Sequence, residues 1–291
     1  MFCKRSLLSI FFLAVLPFGV NYFSLKDFAI YHLAETSMQL PVGLGNPNVH
    51  KLETDVLAIT GLYHTSIAKG FSVNSGMIFT DKSIIFIDCG MTIASAEFLW
   101  KLAQESMRGG ERLYLILTHH HSDHVFGMRV FKEKGAQIIA HKGVKEELEN
   151  DNGRYKTFIA ERMGWDSKKA DEILGNVIIS IPDRTIEKDE TICIDGEKIF
   201  LLTTPGHVPD EICVYHPKSR TLFAGDAIYE GSNLNASFGS PDQWREWIVQ
   251  LERLKKLSVR TIVPGHGNLC SVSEIDRNID YLTKMLRSNC N

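Results

Sequence analysis

The chain reads as an α/β protein, a two-layered sheet core with helices outside. Three observations predict this. Past residue 50, short apolar strands alternate with segments of helical periodicity. A unit of helix, turn, apolar strand and histidine occurs twice, as FLWKLAQESMRGGERLYLILTHHHSDH and as WIVQLERLKKLSVRTIVPGHG. Four strands run into loops that carry histidine or aspartate: LILTHHHSDH, LLTTPGHVPDE, TLFAGDAIY and TIVPGHGNL. Loops held by a rigid scaffold are where functional residues tend to be placed.

The bulk numbers set limits. With 291 residues, 44% apolar and 23% charged, the chain can bury a sizeable core. The net charge of −3 with no strongly basic window excludes a nucleic-acid partner. At the N-terminus, Lys4 and Arg5 precede a nearly continuous apolar run from Ser6 to Val20. That run is shorter than the about 20 residues of a membrane span, and reads as a secretory signal peptide. Pro17-Phe18-Gly19 matches a cleavage site only loosely, so an uncleaved N-terminal membrane anchor is the alternative. Residues 1–24 are set apart on this ground. Residues 25–291 are expected to form one domain of an exported protein, secreted, periplasmic or at the cell surface.

The elements follow in order. VLAITGLY and SGMIFTDKSIIFIDCG are expected as strands, with Thr80-Asp81-Lys82-Ser83 as a hairpin turn. MTIASAEFLWKLAQESMRGG has helical spacing and a stop at Gly109-Gly110. ERLYLILT is apolar on both faces and fits a central strand. DHVFGMRVFKEKG is expected as one helix, with Ser122 as N-cap and Gly135 as its stop, and AQIIAH as a strand. Residues 142–175 are charged and mostly helical, an insert expected near the active site, whose Phe158, Met163 and Trp165 are read as packing residues with a pocket wall as the alternative. VIISI, ETICIDG, EKIFLLTTPG, EICVYH and RTLFAGD are expected as strands. The chain closes with a helix in SPDQWREWIVQLERLKKL, a strand in VRTIVPGHG, and a helix after Ser273. Of six cysteines, Cys89, Cys193 and Cys213 fall in apolar strands as small hydrophobes. Cys270 and Cys290 are candidates to pair, and no CxxC spacing occurs.

The strand ends supply His119, His121, Asp123, His124, His207, Asp226 and His266. Imidazole and carboxylate suit zinc, iron and manganese. Seven such groups exceed what one tetrahedral ion needs, so the natural division is two divalent ions sharing a carboxylate. The solitary His32, His50, His64, His141 and His216 are read as surface or core residues. His120, between two candidate ligands, is expected to point away from the site.

This ordered set resembles the metallo-β-lactamase superfamily over about residues 50–285. The resemblance implies an αββα four-layer sandwich with metals at one edge. It implies a first metal on His119, His121 and His207, a second on Asp123, His124 and His266, and Asp226 between them. Asp88, in IIFIDCG, matches an acidic position behind the site. Aspartate at 226 disfavours the lactamase subtype with cysteine there, and histidine at 121 disfavours the oxygen-reducing diiron members. The implied activity is a dinuclear hydrolase, most directly zinc-dependent, in which a metal-bridging hydroxide cleaves an acyl bond of a small molecule. Tyr229, three residues after Asp226, stands where acyl-homoserine lactonases carry a tyrosine. It is read either as a hydrogen-bond donor to the reacting group or as packing. A lactone is therefore the expected substrate, with β-lactams and thioesters next, and Asp123 is expected to ligate and to orient or deprotonate the nucleophile. The rival readings are an iron-dependent dioxygenase on the same fold and a non-catalytic secreted metal-binding protein.

Overall fold

A computed structural model describes residues 39–67 and 71–288. The expected signal or anchor segment lies outside the described residues, as do Cys3 and Cys290. A first sheet follows the chain in strict order: β1 (Asn48–Glu53), β2 (Val56–Leu62), β3 (Val73–Phe79), β4 (Ser83–Ile87), β5 (Arg112–Ile116), β6 (Gln137–His141) and β7 (Arg184–Ile186). Strands β1 to β4 pair antiparallel, and β4 to β7 pair parallel. Parallel neighbours need crossover connections. Helix α1 (Ile93–Gln104) supplies the first, and α2 (Ser122–Val125) with α3 (Met128–Glu133) the second. The third runs through α4 (Lys142–Glu149), α5 (Arg154–Met163) and α6 (Ser167–Leu174).

The second sheet has the order β12-β11-β10-β9-β8. Its strands are β8 (Glu190–Ile194), β9 (Glu197–Thr203), β10 (Ile212–His216), β11 (Thr221–Tyr229) and β12 (Thr261–His266). Strands β8 to β11 pair antiparallel. Helix α7 (Pro241–Leu254) makes the crossover that lets β12 pair parallel with β11, and α8 (Ser273–Ser288) follows. The start of α7 is written in the sequence. The Ser240 hydroxyl accepts from Gln243 N, Gln243 Oε1 accepts from Ser240 N, and Pro241 needs no partner at the first turn.

The four layers follow from side-chain alternation. In β4, Ile84 and Phe86 join a core shared with the helices of the first half, while Ile85 and Ile87 face the second sheet. In β10, Cys213 and Tyr215 pack towards α7 and α8, while Ile212 and Val214 face the first sheet. Each such buried side chain contributes about 1.5–3 kcal/mol. Among the described residues no helix is long and apolar enough to cross a membrane.

Four local expectations are corrected. VIISI is not a strand. Val177, Ile179 and Ile181 pack on the first core, and Ser180 N donates to Met128 Sδ instead of to a ladder partner. Ile181 precedes Pro182, and the strand β7 begins only two residues later. DHVFGMRVFKEKG forms two helices, α2 and α3, broken at Gly127, and His121 rather than Ser122 is the N-cap of α2. The break brings the chain against the β4–α1 loop: Gly127 N donates to Gly90 O, and a Cβ on Gly127 would lie 2.2 Å from Cys89 O. Helix α1 stops at Gln104, short of Gly109-Gly110, which instead take left-handed φ in the turn before β5. Cys193 is exposed because it alternates outward on the edge strand β8. Among the described residues no two cysteines are bonded to one another.

Candidate metal centre

The candidate ligands gather at one end of the two sheets, and Asp226 lies inside its strand and not in the loop expected after it. The β5 strand runs into Thr118, His119, His120 and His121, and the one-turn helix α2 then carries Asp123 and His124. His207 lies in the β9–β10 loop, Asp226 within β11, and His266 at the end of β12. The parallel pairing of β11 with β12 sets Tyr229 beside His266. Gly265 is required there, since a Cβ would stand 2.0 Å from Asp226 Oδ1.

The seven side chains converge. His119, His121, His207 and Asp226 form one group, and Asp123, His124 and His266 a second, each with donor atoms within 4.8 Å of one another. The two oxygens of Asp226 divide between the groups. Oδ2 lies 3.2 Å from His207 Nε2 and 3.8 Å from His119 Nε2. Oδ1 lies 3.1 Å from His124 Nε2 and 3.2 Å from His266 Nε2. Asp123 Oδ2 is 3.4 Å from His266 Nε2. Donors around a common tetrahedral zinc ion stand roughly 3.3 Å apart, given bonds of about 2.0 Å.

The outward ring nitrogens are fixed by the fold. His124 Nδ1 bonds Asp88 Oδ2 at 2.8 Å, His207 Nδ1 bonds Asn235 O at 3.0 Å, and His266 Nδ1 bonds Ser72 O at 2.6 Å. Thr118 Oγ1 lies 3.1 Å from His119 Nδ1. Asp88 has a left-handed φ of 57° and also accepts from Thr118 N and Thr118 Oγ1, at 2.8 Å each. Of the inward atoms, His207 Nε2 and His121 Nδ1 lie 3.0 Å apart as a hydrogen-bonded pair, and three others are left without partners. His119 Nε2, His124 Nε2 and Asp226 Oδ1 are buried with no hydrogen bond. Leaving such groups unsatisfied is costly, and these three come from the β5–α2 loop, α2 and β11. The donor set fits two divalent metal ions.

The electrostatics differ between the two groups. Burial, and for His119 and His121 the neighbouring imidazoles, lower the pKa of His119, His121 and His207, keeping them neutral as ligands must be. Burial opposes charge on His124 and His266 too, but the carboxylates of Asp88, Asp226 and Asp123 outweigh it at His124, and those of Asp226 and Asp123 at His266, so both are raised. Asp226 is held well below the carboxylate range because His266, His124 and His207 outweigh its burial. Burial and then Asp226 push the Tyr229 phenol well above its usual value, so it stays a donor.

Three placements add to the sequence reading. Tyr229 lies in the centre, its hydroxyl donating to Asp226 Oδ2 at 2.5 Å and its ring 4.9 Å from that of His266. His120 does not point away. Its Nδ1 is held by Asp210, at 2.9 and 2.8 Å from the two oxygens, its ring stacks on Tyr155 at 5.9 Å, and it lines the same pocket as His121. Glu211 was not singled out in the sequence. It is fully buried, its Oε1 accepts from Asp226 N at 2.9 Å and lies 3.6 Å from His119 Nδ1. Burial and then the Asp226 carboxylate raise its pKa well above the usual range. The available signal was a glutamate opening the otherwise apolar strand EICVYH. The pocket has a volume of about 970 Å³, within the size of small-molecule sites.

Fold and site together define a class: αββα proteins with a centre for two divalent metal ions. The chain belongs to the metallo-β-lactamase superfamily, whose family model matches residues 68–266. An acyl-coenzyme A thioesterase of Gallus gallus is 23% identical over 232 residues, covering 74% of this chain and 80% of that protein. A probable metallo-hydrolase of Bacillus subtilis is 25% identical, covering 73% and 72%. A type 2 metallo-β-lactamase of Elizabethkingia meningoseptica is 22% identical, covering 81% and 85%. The crystal structure of the DIM-1 metallo-β-lactamase superposes with a TM-score of 0.63 at 17% identity, over 83% of this chain and 99% of that one, and shows the shared fold. The protein is thus a metallo-β-lactamase-superfamily hydrolase.

Proposed function

We propose that this hydrolase opens lactones, of the acyl-homoserine lactone kind, and that it does so with zinc. The observation that carries the reading is Tyr229. Its hydroxyl is on Asp226, between the two ligand groups, and its ring lines the pocket. His119, His121 and His207 would hold one ion, Asp123, His124 and His266 the other, and Asp226 both. Two such ions would supply Lewis-acid polarisation of an acyl carbonyl and would lower the pKa of bound water to about 7. The protein's own groups do the rest. Asp226 presents one oxygen to each group. Asp123, at the pocket surface beside His266, takes a proton from the attacking water and returns it to the leaving alkoxide. Tyr229 donates a hydrogen bond to the carbonyl oxygen or to that alkoxide. One water is added across the acyl C–O bond, and the product is a hydroxy acid. Phe238, whose ring is 4.7 Å from that of His121, lines the same pocket and offers it an apolar surface.

Lys4 and Arg5 ahead of the apolar N-terminal run support action outside the cytoplasm. The thioesterase and β-lactamase relatives make thioesters and β-lactams the next candidates. One screen decides: hydrolysis of lactones, cephalosporins and coenzyme A and glutathione thioesters, with metal content measured on the same sample. Lactone turnover with about two zinc ions per chain is expected. Turnover of thioesters or cephalosporins without lactones overturns the substrate reading. One iron per chain with oxygen uptake overturns the hydrolase reading.

A further inference from the structure

The pocket beside the metal centre has a second wall that the chemistry above does not use. One face of α5 lines it, through Arg154, Tyr155, Phe158, Arg162 and Met163. Arg154, Phe158 and Arg162 are spaced i, i+4, i+8 and form one stripe along the helix. Ile159 is the helix's buried side chain, so α5 is anchored by Ile159 and turns the Arg–Phe–Arg stripe towards the pocket. A plain solvated face would not place an aromatic there, yet Phe158 is 44% exposed. Phe238, 53% exposed, is a second open ring in the same pocket. Both rings line one pocket beside polar groups, the make-up of a small-molecule site.

The two arginines differ. Arg154 is already engaged, its guanidinium bonding Glu147 at 2.9 Å and the Tyr155 hydroxyl at 3.3 Å. Arg162 lies over the ring of Phe71, its Cζ 5.6 Å from the centroid. Among the described residues it has no carboxylate partner. Its guanidinium is therefore held by an aromatic wall with its donors free, in a pocket whose other charged lining includes Asp123 and Asp226. Glu147, in the same lining, is taken up by Arg154, so Arg162 is the arginine of this wall left for an anionic group.

We propose that α5 selects acyl substrates that carry a carboxylate or a phosphate on the acyl side, bound by Arg162, with an apolar acyl chain lying on Phe158 and Phe238. A guanidinium suits either anion, because its forked N–H groups match their oxygens. The proposal rests on the hydrolase reading above and not on its homoserine-lactone form, whose substrates carry no such anion.

The test uses the zinc-loaded full-length protein and three p-nitrophenyl esters with acyl chains of equal length. The chains end in a methyl, a carboxylate or a phosphate group. The wild type is expected to show a lower KM for at least one anionic ester than for the methyl ester. Arg162→Gln is expected to raise that KM by about tenfold, the scale of a lost charge-assisted hydrogen bond, and to leave the methyl ester unchanged. Arg162→Lys is expected to recover part of the preference. Which anionic ester responds more identifies the anion. Equal KM for anionic and neutral esters in the wild type, or equal losses on all three in Arg162→Gln, overturns the proposal. If no ester is hydrolysed, the hydrolase reading is judged by its own substrate screen and the anion preference is read from binding. Calorimetric binding of the carboxylate- and phosphate-ended, ester-free chains then decides. About tenfold weaker binding to Arg162→Gln supports anion recognition, and equal binding overturns it.

Discussion

Asp88 orients the metal centre without reaching into it, and Asp88→Asn isolates that role. The substitution keeps the shape and the tolerance of asparagine for the left-handed backbone, with φ of 57°. It removes the charge and turns one acceptor oxygen into an N–H₂ donor. Three donors meet the carboxylate at 2.8 Å: Thr118 N, Thr118 Oγ1 and His124 Nδ1. No orientation of an amide accepts from all three. At least one charge-assisted bond of about 1.5–3 kcal/mol is lost. Loss of a ligand-orienting partner costs roughly 10–100-fold in metal affinity, which is about 1.4–2.8 kcal/mol and agrees with the hydrogen-bond figure. The loss should fall mainly on the group containing His124. A weaker effect should reach the other through Thr118, which also touches His119. Competition with a zinc chelator that resolves two affinities measures both. Equal loss at both sites, or no loss at either, refutes the reasoning.

Other outcomes follow from the same coordinates. Tyr229→Phe should lower kcat by about 10²-fold, the scale of one lost transition-state donor, with zinc content unchanged by metal analysis. Trp247→Ala empties a fully buried site beside His207 and removes the bond from its indole N–H to Ala227 O, and should cost about 3–5 kcal/mol in urea unfolding. The Ser83 and Thr80 hydroxyls, with Arg112 and Lys82 N, lower the Asp195 pKa from 3.8 to about 2. A depressed carboxylate stabilises the fold above pH 3.8 and loses that contribution as pH falls through about 2. Acid titration of Asp195→Asn should therefore show a shallower stability loss across that window. Chelation should lower the Tm, and zinc should restore it, because ligands bind the folded state preferentially; an unchanged Tm would show that no metal is held.

The parts of the site that were legible in the sequence were those with tight spacing. HxHxDH puts four donors on one strand end and one helical turn, where chance offers few alternatives. His207, Asp226 and His266 were legible because each ends an apolar run of sequence, although Asp226 proves to lie inside β11. Glu211 was hidden by its neighbours, since one acid at a strand start usually faces water. His120 was misjudged because spacing says nothing about Asp210, which lies 90 residues away and holds its ring in the pocket. Elements followed the same logic. Interior strands such as β4 and β5 declare themselves by apolar content. The edge strand β1 is partly polar and half-buried, and β7 has three residues, so neither leaves a pattern. VIISI has strand composition, but its apolar side chains are used against helices.

The order of the two sheets along the chain has a mechanical consequence. Strands β1 to β7 are finished before β8 begins, and the exposed segment 187–189 joins them. Each group of metal donors nevertheless draws from both halves: His119 and His121 with His207 and Asp226, and Asp123 and His124 with His266. Any ion held there would clasp one half of the polypeptide to the other at a single rim. A chain nicked between β7 and β8 would carry two intact sheets and two half-clasps. Its reassembly would then be governed by metal concentration as well as by the apolar seam between them.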